Sequence, residues 1–147
     1  MTFRIGSLFA GIGGLELGLE WAGLGHTVWQ VEREEWCRNV LQKHWPNASR
    51  YDDVRTVGAH NLEPVDVICG GFPCQDISYA GKGAGLAGER SGLWYEYLRI
   101  VRELRPRLVI VENVAALRSR GLGVVLGDLA ALGYDSVWTS IRASDVG

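Results

Sequence analysis

The stretch from residue 3 to residue 21 constrains the fold more than any other. Phe3-Arg4-Ile5-Gly6-Ser7-Leu8-Phe9 reads as a strand and Ala10-Gly11-Ile12-Gly13-Gly14 as a tight glycine turn. Residues 15–21 then take helical spacing, with Leu15, Leu19 and Ala22 on one side. Strand, glycine turn and helix in succession form the opening of a nucleotide-binding βαβ unit. Glycines suit such a turn because a backbone without Cβ atoms can come close to a ligand. Taken alone, the turn is equally an ordinary connection in a small α/β protein.

The rest of the chain repeats the pattern of an apolar run ending in polar groups. Residues 27–31 make a second strand candidate, with Glu32 at its carboxyl end. A carboxylate there, about 20 residues after the glycines, can accept from both hydroxyls of a ribose. Its other reading is decoration of the acid-rich start of the next helix. That helix is expected over residues 33–45, with Trp36, Val40, Leu41 and Trp45 as core contacts and Pro46 and Asn47 ending it. Residues 51–55 read as a polar turn after a possible edge strand, and residues 65–69 as a short buried strand. Gly70 and Gly71 break that strand, and Pro73 stiffens the backbone before Cys74. A thiol on a rigid turn is presented to a cleft, although a free cysteine also serves as a small hydrophobe.

The segment 70–92 contains Gly81, Gly83, Gly85, Gly88 and Gly92, with Lys82, Glu89 and Arg90 among them. A loop of this length with glycine hinges suggests a mobile lid. Helical spacing resumes over residues 94–104 and stops at Pro106; residues 108–111 are a strongly apolar strand ending in Glu112 and Asn113. Glu112 reads either as an acid with a raised pKa beside apolar residues or as a helix N-cap partner. A helix over 122–132 and a last strand over 134–141 complete the pattern. The expectation is a single α/β domain, with a mostly parallel sheet flanked by helices.

Composition narrows the function classes. A chain of 147 residues, 47% hydrophobic, can bury the core of one domain. Its net charge of −2 and pI near 5.9 advertise no overall basic surface for duplex binding. Three cysteines without regular spacing argue for a reducing compartment rather than a disulfide framework, and the scattered His26, His44 and His60 argue against a zinc site. With no signal-peptide architecture and no apolar run of membrane length, the sequence reads as soluble, cytoplasmic and without a membrane partner.

Phe9-Ala10-Gly11-Ile12-Gly13-Gly14, Gly70-Gly71-Phe72-Pro73-Cys74-Gln75 and Glu112-Asn113-Val114 occur in that order. Together they resemble motifs I, IV and VI of the DNA (cytosine-5)-methyltransferase family. Asp53-Val54, Gln75 to Ser78, Gly81-Lys82 and Arg90-Ser91-Gly92-Leu93 fit the same pattern. The resemblance implies a Rossmann-like fold that binds S-adenosylmethionine and releases S-adenosylhomocysteine. It implies cofactor contacts from Phe9, Ala10, Gly11, Ile12, Gly13 and Gly14, from Glu32 and Arg33, from Asp53 and Val54, and from Pro73 and Leu93. Within that set, Phe9 would pack on the adenine, Glu32 hold the ribose and Asp53 accept from the adenine amino group. Cys74 would add to C6 of a flipped-out cytosine, Glu112 contact N3 and the amino group, and Asn113 and Pro73 fix the catalytic loop. Gln75 and Ser78 complete the implied catalytic set, and no metal is implied.

The implied partners are duplex DNA with a flipped cytosine, inside a prokaryotic or phage-type cell in a restriction-modification setting. In the family, the strand resembling 134–142 precedes an Arg-rich motif, a target-recognition region and a final helix. The chain is therefore expected to be a partial domain, incomplete at its C-terminus, that needs a complementary C-terminal fragment or subunit and methylates DNA poorly alone. Two other readings stay open: a non-catalytic remnant that binds a partner, and a relative acting on RNA.

Overall fold

The computed structural model describes residues 2–73 and 92–146. Residues 74–91 of the expected lid segment, and with them Cys74, Gln75 and Ser78, lie outside the described residues.

Five strands form one sheet: β1 (Phe3–Leu8), β2 (Gly25–Val31), β3 (Ser49–Tyr51), β4 (Val67–Gly70) and β5 (Leu108–Val111). Their spatial order is β3-β2-β1-β4-β5, and every neighbouring pair is parallel. Between them run α1 (Gly14–Trp21), α2 (Glu35–His44) and α3 (Gly92–Leu104); α4 (Leu117–Arg120) and α5 (Leu122–Ala131) follow β5. This is the expected parallel sheet flanked by helices. Among the described residues no helix is long and apolar enough to cross a membrane.

Side chains alternate across each strand, so the sheet has two apolar faces. Ile5, Val67 and Cys69 point to one face, where Leu15 and Leu19 of α1 cover them. Leu8, Trp29, Val31 and Ile68 belong to the larger core, with Trp94, Tyr97, Ile100 and Val101 of α3 and Val125 and Leu129 of α5. Arg99 of α3 clamps the return from β3 to β4, donating to the carbonyls of Val54 and Val57.

Several expectations need correction. Trp36 is 62% exposed and Ala22 is exposed too. The inward stripe of α2 runs through Cys37 and Leu41, and Trp36 lies one residue, about 100°, off that stripe. Ala22 falls past the last turn of α1, at its C-cap. The fourth strand starts at Val67 rather than at residue 65, and Gly70 is its last residue rather than its break. Residues 134–141 form no strand. Tyr134 is anchored through its hydroxyl to the Pro106 carbonyl at 2.7 Å, but Val137 is fully exposed and Ile141 largely exposed. Alternation yields a strand only where a neighbouring edge supplies a hydrogen-bond ladder, and this segment has none among the described residues.

Candidate functional site

The sheet order fixes where a ligand can sit. From β1 the chain moves outward through β2 and β3, then crosses back to β4 on the other side of β1 and moves outward again to β5. Helices after β1 and after β4 therefore depart to opposite faces, opening a crevice at the carboxyl ends of those two strands. A cleft of about 380 Å³ lies there. Ser7, Phe9 and Ala10 line it from β1 and the turn after it, Gly14, Leu15 and Glu16 from α1, Gly70 and Gly71 from β4, and Glu112 from the end of β5. Its size is within the range of small-molecule sites.

The β1 side of the cleft is held by backbone geometry. Phe9 adopts a left-handed φ of 55°, which is costly for an aromatic residue and turns the chain out of the sheet. Gly13, at φ 90°, caps α1; a Cβ there would sit 2.4 Å from the Trp45 ring. This glycine thus serves helix packing as well as the turn. Gly11 N donates to Glu32 Oε2 at 2.7 Å, and Glu34 N donates to Glu32 Oε1 at 2.8 Å. One carboxylate ties the glycine turn to the start of α2, so both readings of Glu32 meet in a single geometry. Ile12 is exposed, as is Arg33, whose carbonyl accepts from Arg38.

Asp53 stands just after edge strand β3. Its Oδ1 accepts from the backbone N and Nε of Arg55, and its Oδ2 from Nη2 at 2.8 Å. These bonds hold its pKa down at about 2. Val54 beside it is buried in the larger core, and Leu93 is partly buried against that core. Glu32, Asp53, Val54 and Leu93 do not line the cleft itself.

The β4–β5 side rests on an aromatic stack. Phe72 is buried with its ring 5.3 Å from Trp94, Trp94 stacks on Tyr97 at 5.6 Å, and Tyr97 lies 6.5 Å from Phe9. Trp94 Nε1 donates to Asp128 at 2.8 Å, and the Tyr97 hydroxyl donates to the Ile110 carbonyl at 3.1 Å. Above the stack, Asn113 Nδ2 donates to the Phe72 carbonyl at 3.1 Å while its Oδ1 accepts from Val114 N. Glu112 is exposed and lies over Gly71, where a Cβ would come within 2.5 Å of its Oε2. It caps no helix, since the N-cap of α4 is Ala116. Pro73 is exposed.

The sequence reading missed Ser7, Leu15 and Glu16 as lining residues. Glu16 is wholly buried, and burial raises its pKa. The available signal was a glutamate next to the Leu15–Leu19 stripe of a helix that must lie on the sheet. The two described thiols, Cys37 and Cys69, are buried, and burial pushes Cys69 up to about 12.

Comparison with known proteins follows this geometry. The family described as C-5 cytosine-specific DNA methylase matches residues 3–147. The type II methyltransferase M.Bsp6I of Bacillus sp. (strain RFL6) is 34% identical over 98% of this chain and 47% of its own length. M.CviJI of Paramecium bursaria Chlorella virus IL3A is 36% identical over 100% of this chain and 40% of its own. A crystal structure described as a DNA modification methyltransferase encoded within an E. coli prophage superposes with a TM-score of 0.73 at 27% identity, covering 89% of this chain and 37% of that one. The chain spans less than half the length of the curated relatives it matches.

Proposed function

The chain belongs to the C-5 cytosine-specific DNA methylase family, and we propose that it is the cofactor-binding and catalytic part of an enzyme that methylates cytosine at C5 in DNA. The observation that carries this reading is the cleft at the switch between β1 and β4. It brings the glycine turn, the Gly70–Gly71 backbone and Glu112 to one place, three residues before Cys74.

The residues present fit S-adenosylmethionine. The cleft offers an apolar wall in Phe9 and Leu15 and, in Glu16 and Ser7, a buried carboxyl oxygen and hydroxyl without hydrogen-bond partners among the described residues. Outside the cleft lining, the Glu32 carboxylate stands at the end of β2, tied to the glycine turn through Gly11 N. When bound, the cofactor supplies an electrophilic methyl group on sulfur. Glu32 would hold the ribose, and Asp53 would exchange Arg55 for the adenine amino group. The Cys74 thiolate adds to C6 of the target cytosine, forming a sulfur–carbon bond and moving electron density to C5, which takes the methyl group. Solvent water then takes the C5 proton, and the C–H electron pair restores the C5–C6 double bond as the C6–sulfur bond breaks and the thiolate leaves. Glu112 offsets the charge that develops at N3, and Asn113 steadies the backbone leading to Cys74 through the Phe72 carbonyl. The base must leave the duplex, because C6 is attacked above the ring plane, which stacking covers. Two facts support Cys74 as the nucleophile: the resemblance of the Pro-Cys-Gln element, and the burial of the other two thiols. The partner is a further segment like the one that makes up the remaining length of the relatives, supplying most DNA contacts.

A duplex with 5-fluorocytosine at the target tests the mechanism, since its C5 carries no proton to lose. The chain, complemented by the C-terminal part of a relative and given cofactor, is expected to form a denaturant-stable protein–DNA adduct. Cys74→Ala should abolish both the adduct and methyl transfer. Methyl transfer that persists in Cys74→Ala would overturn the assignment.

A further inference from the structure

Behind the glycine turn the cleft holds a buried carboxyl group that the proposed mechanism does not use. Glu16 is 0% exposed, and among the described residues its Oε2 accepts no hydrogen bond of good geometry. The neighbouring Ser7 Oγ, also 0% exposed, makes none either, although it lies close enough to Glu16 to offset part of the effect of burial on that carboxyl group. The other oxygen of Glu16 accepts from Gln30 Nε2 at 3.4 Å. Gln30 is oriented from behind, because its Oε1 accepts from Arg50 Nη1. Both orphaned atoms belong to residues that line the cleft.

An unpartnered buried acceptor carries a penalty of about 1–3 kcal/mol, and more when charged, so a ligand that brings donors to it gains what the free protein lacks. We propose that Glu16, with Ser7, is the acceptor for the ammonium group of the cofactor's amino-acid tail. This rests on the cofactor reading above. Of the two cationic centres in S-adenosylmethionine, only the ammonium carries N–H donors that can satisfy both oxygens; the sulfonium carries none. Glu16 sits in the first turn of α1, where free backbone N–H groups suit a carboxylate, so the two ends of one amino-acid group are met by one helix turn.

The groups facing Glu16 are Glu20 on α1, Cys69 on β4, Ser7 on β1 and Gln30 on β2, with Arg50 behind Gln30. None of those in direct contact is a cation. Burial raises the pKa of Glu16 above 4.5, so pairing with an ammonium should drive a proton off it. Affinity for the ammonium form should then rise with pH through that raised value and level off above it.

The test is calorimetric titration of the 147-residue chain and of Glu16→Gln, in two buffers of different ionisation enthalpy. The ligands are S-adenosylhomocysteine, its deaminated analogue and 5′-methylthioadenosine. The unsubstituted chain is expected to prefer S-adenosylhomocysteine over the deaminated analogue by roughly 10- to 100-fold, and to release protons on binding it. Glu16→Gln should remove most of that preference and the proton release, with methylthioadenosine binding unchanged. Equal losses for S-adenosylhomocysteine and methylthioadenosine would make Glu16 a structural residue only, and unchanged binding would leave it to an ordered water; either overturns the proposal. Should Glu16→Gln fail to fold by circular dichroism, the unsubstituted chain decides: no preference for the amino group and no proton release overturn it. If no adenosyl ligand binds at all, the cofactor reading falls first and this inference with it.

Discussion

The two lips of the cleft are built by different physics. On the β1–β2 lip, the polar groups other than Glu16 Oε2 and Ser7 Oγ are largely paired with one another. Glu32 accepts from Gly11 N and Glu34 N, and a single oxygen of Glu20 accepts from Thr27 N, Thr27 Oγ1 and Trp45 Nε1. On the β4–β5 lip, Glu112 and Pro73 stand exposed, and order comes from below, through Phe72, Trp94 and Tyr97. Charge-assisted bonds fix direction, whereas apolar stacking fixes position and leaves the polar groups above it to be oriented by what binds. The first lip is therefore largely set in advance, and the second is a firm platform with free polar groups above it; on the proposed reading the first would receive the cofactor and the second the base.

Removing the platform should have the largest effect. Trp94→Ala deletes a wholly buried ring between Phe72 and Tyr97 and leaves Asp128 without its indole donor. A loss of about 3–5 kcal/mol in unfolding free energy is expected from denaturant titration. Trp94→Phe should cost much less, because it keeps most of the stack. If Trp94→Ala costs less than about 1 kcal/mol, the β4–β5 lip does not rest on stacking.

On the other lip the sensitive point is backbone. Gly13→Ala places a Cβ at φ 90° and against Trp45, so about 2–3 kcal/mol should be lost. Combining it with Trp45→Leu should recover the packing share but not the dihedral share. A smaller effect belongs to Asn113→Ala, which removes the bond to the Phe72 carbonyl. About 1 kcal/mol of stability is expected to go. Methyl transfer by the complemented enzyme should fall while adenosyl-ligand affinity stays unchanged. A parallel loss of affinity would mean that the two lips are not separable.

The division between the lips also tracks what the sequence disclosed. Strands β1, β2, β4 and β5 were legible because each is an apolar run closed by glycine or a polar group. Glu32 and Glu112 stood out as candidates because they follow such closures, whereas the role of Asp53 came through the family resemblance. Contacts that join distant segments were not legible. Nothing local in Phe72, Trp94 and Tyr97 announces a stack, and the burial of Glu16 depends on which face of α1 meets Ser7 and Gln30. Trp36 and Trp45 look alike in sequence, but Trp36 on the outer face of α2 is 62% exposed, whereas Trp45, at the C-cap, packs on Gly13 and donates to Glu20. The alternation over 134–141 misled because a strand is a property of a pair, and a single sequence presents only one member.

The last comparison concerns a preset bond beside the first lip, after β3, that on the proposed reading a cofactor would have to displace. Arg55 holds Asp53 through its backbone N and its guanidinium, and this lowers the Asp53 pKa from 3.8 to about 2. Because the folded value is depressed, the pair's contribution to stability is complete above about pH 3.8 and is lost as pH falls through about 2. Arg55 is exposed, so the effect should be the smallest of the set and should shrink further in salt. Thermal unfolding from pH 5 to pH 2 is expected to show a steeper acid loss for the native chain than for Arg55→Gln. The same substitution should leave adenosyl-ligand binding at neutral pH unchanged or tighter, because Asp53 no longer has to exchange a partner. Weaker binding would show that Arg55 holds Asp53 in the orientation the ligand needs, and this part of the first lip would then be a positioning device rather than a competing bond.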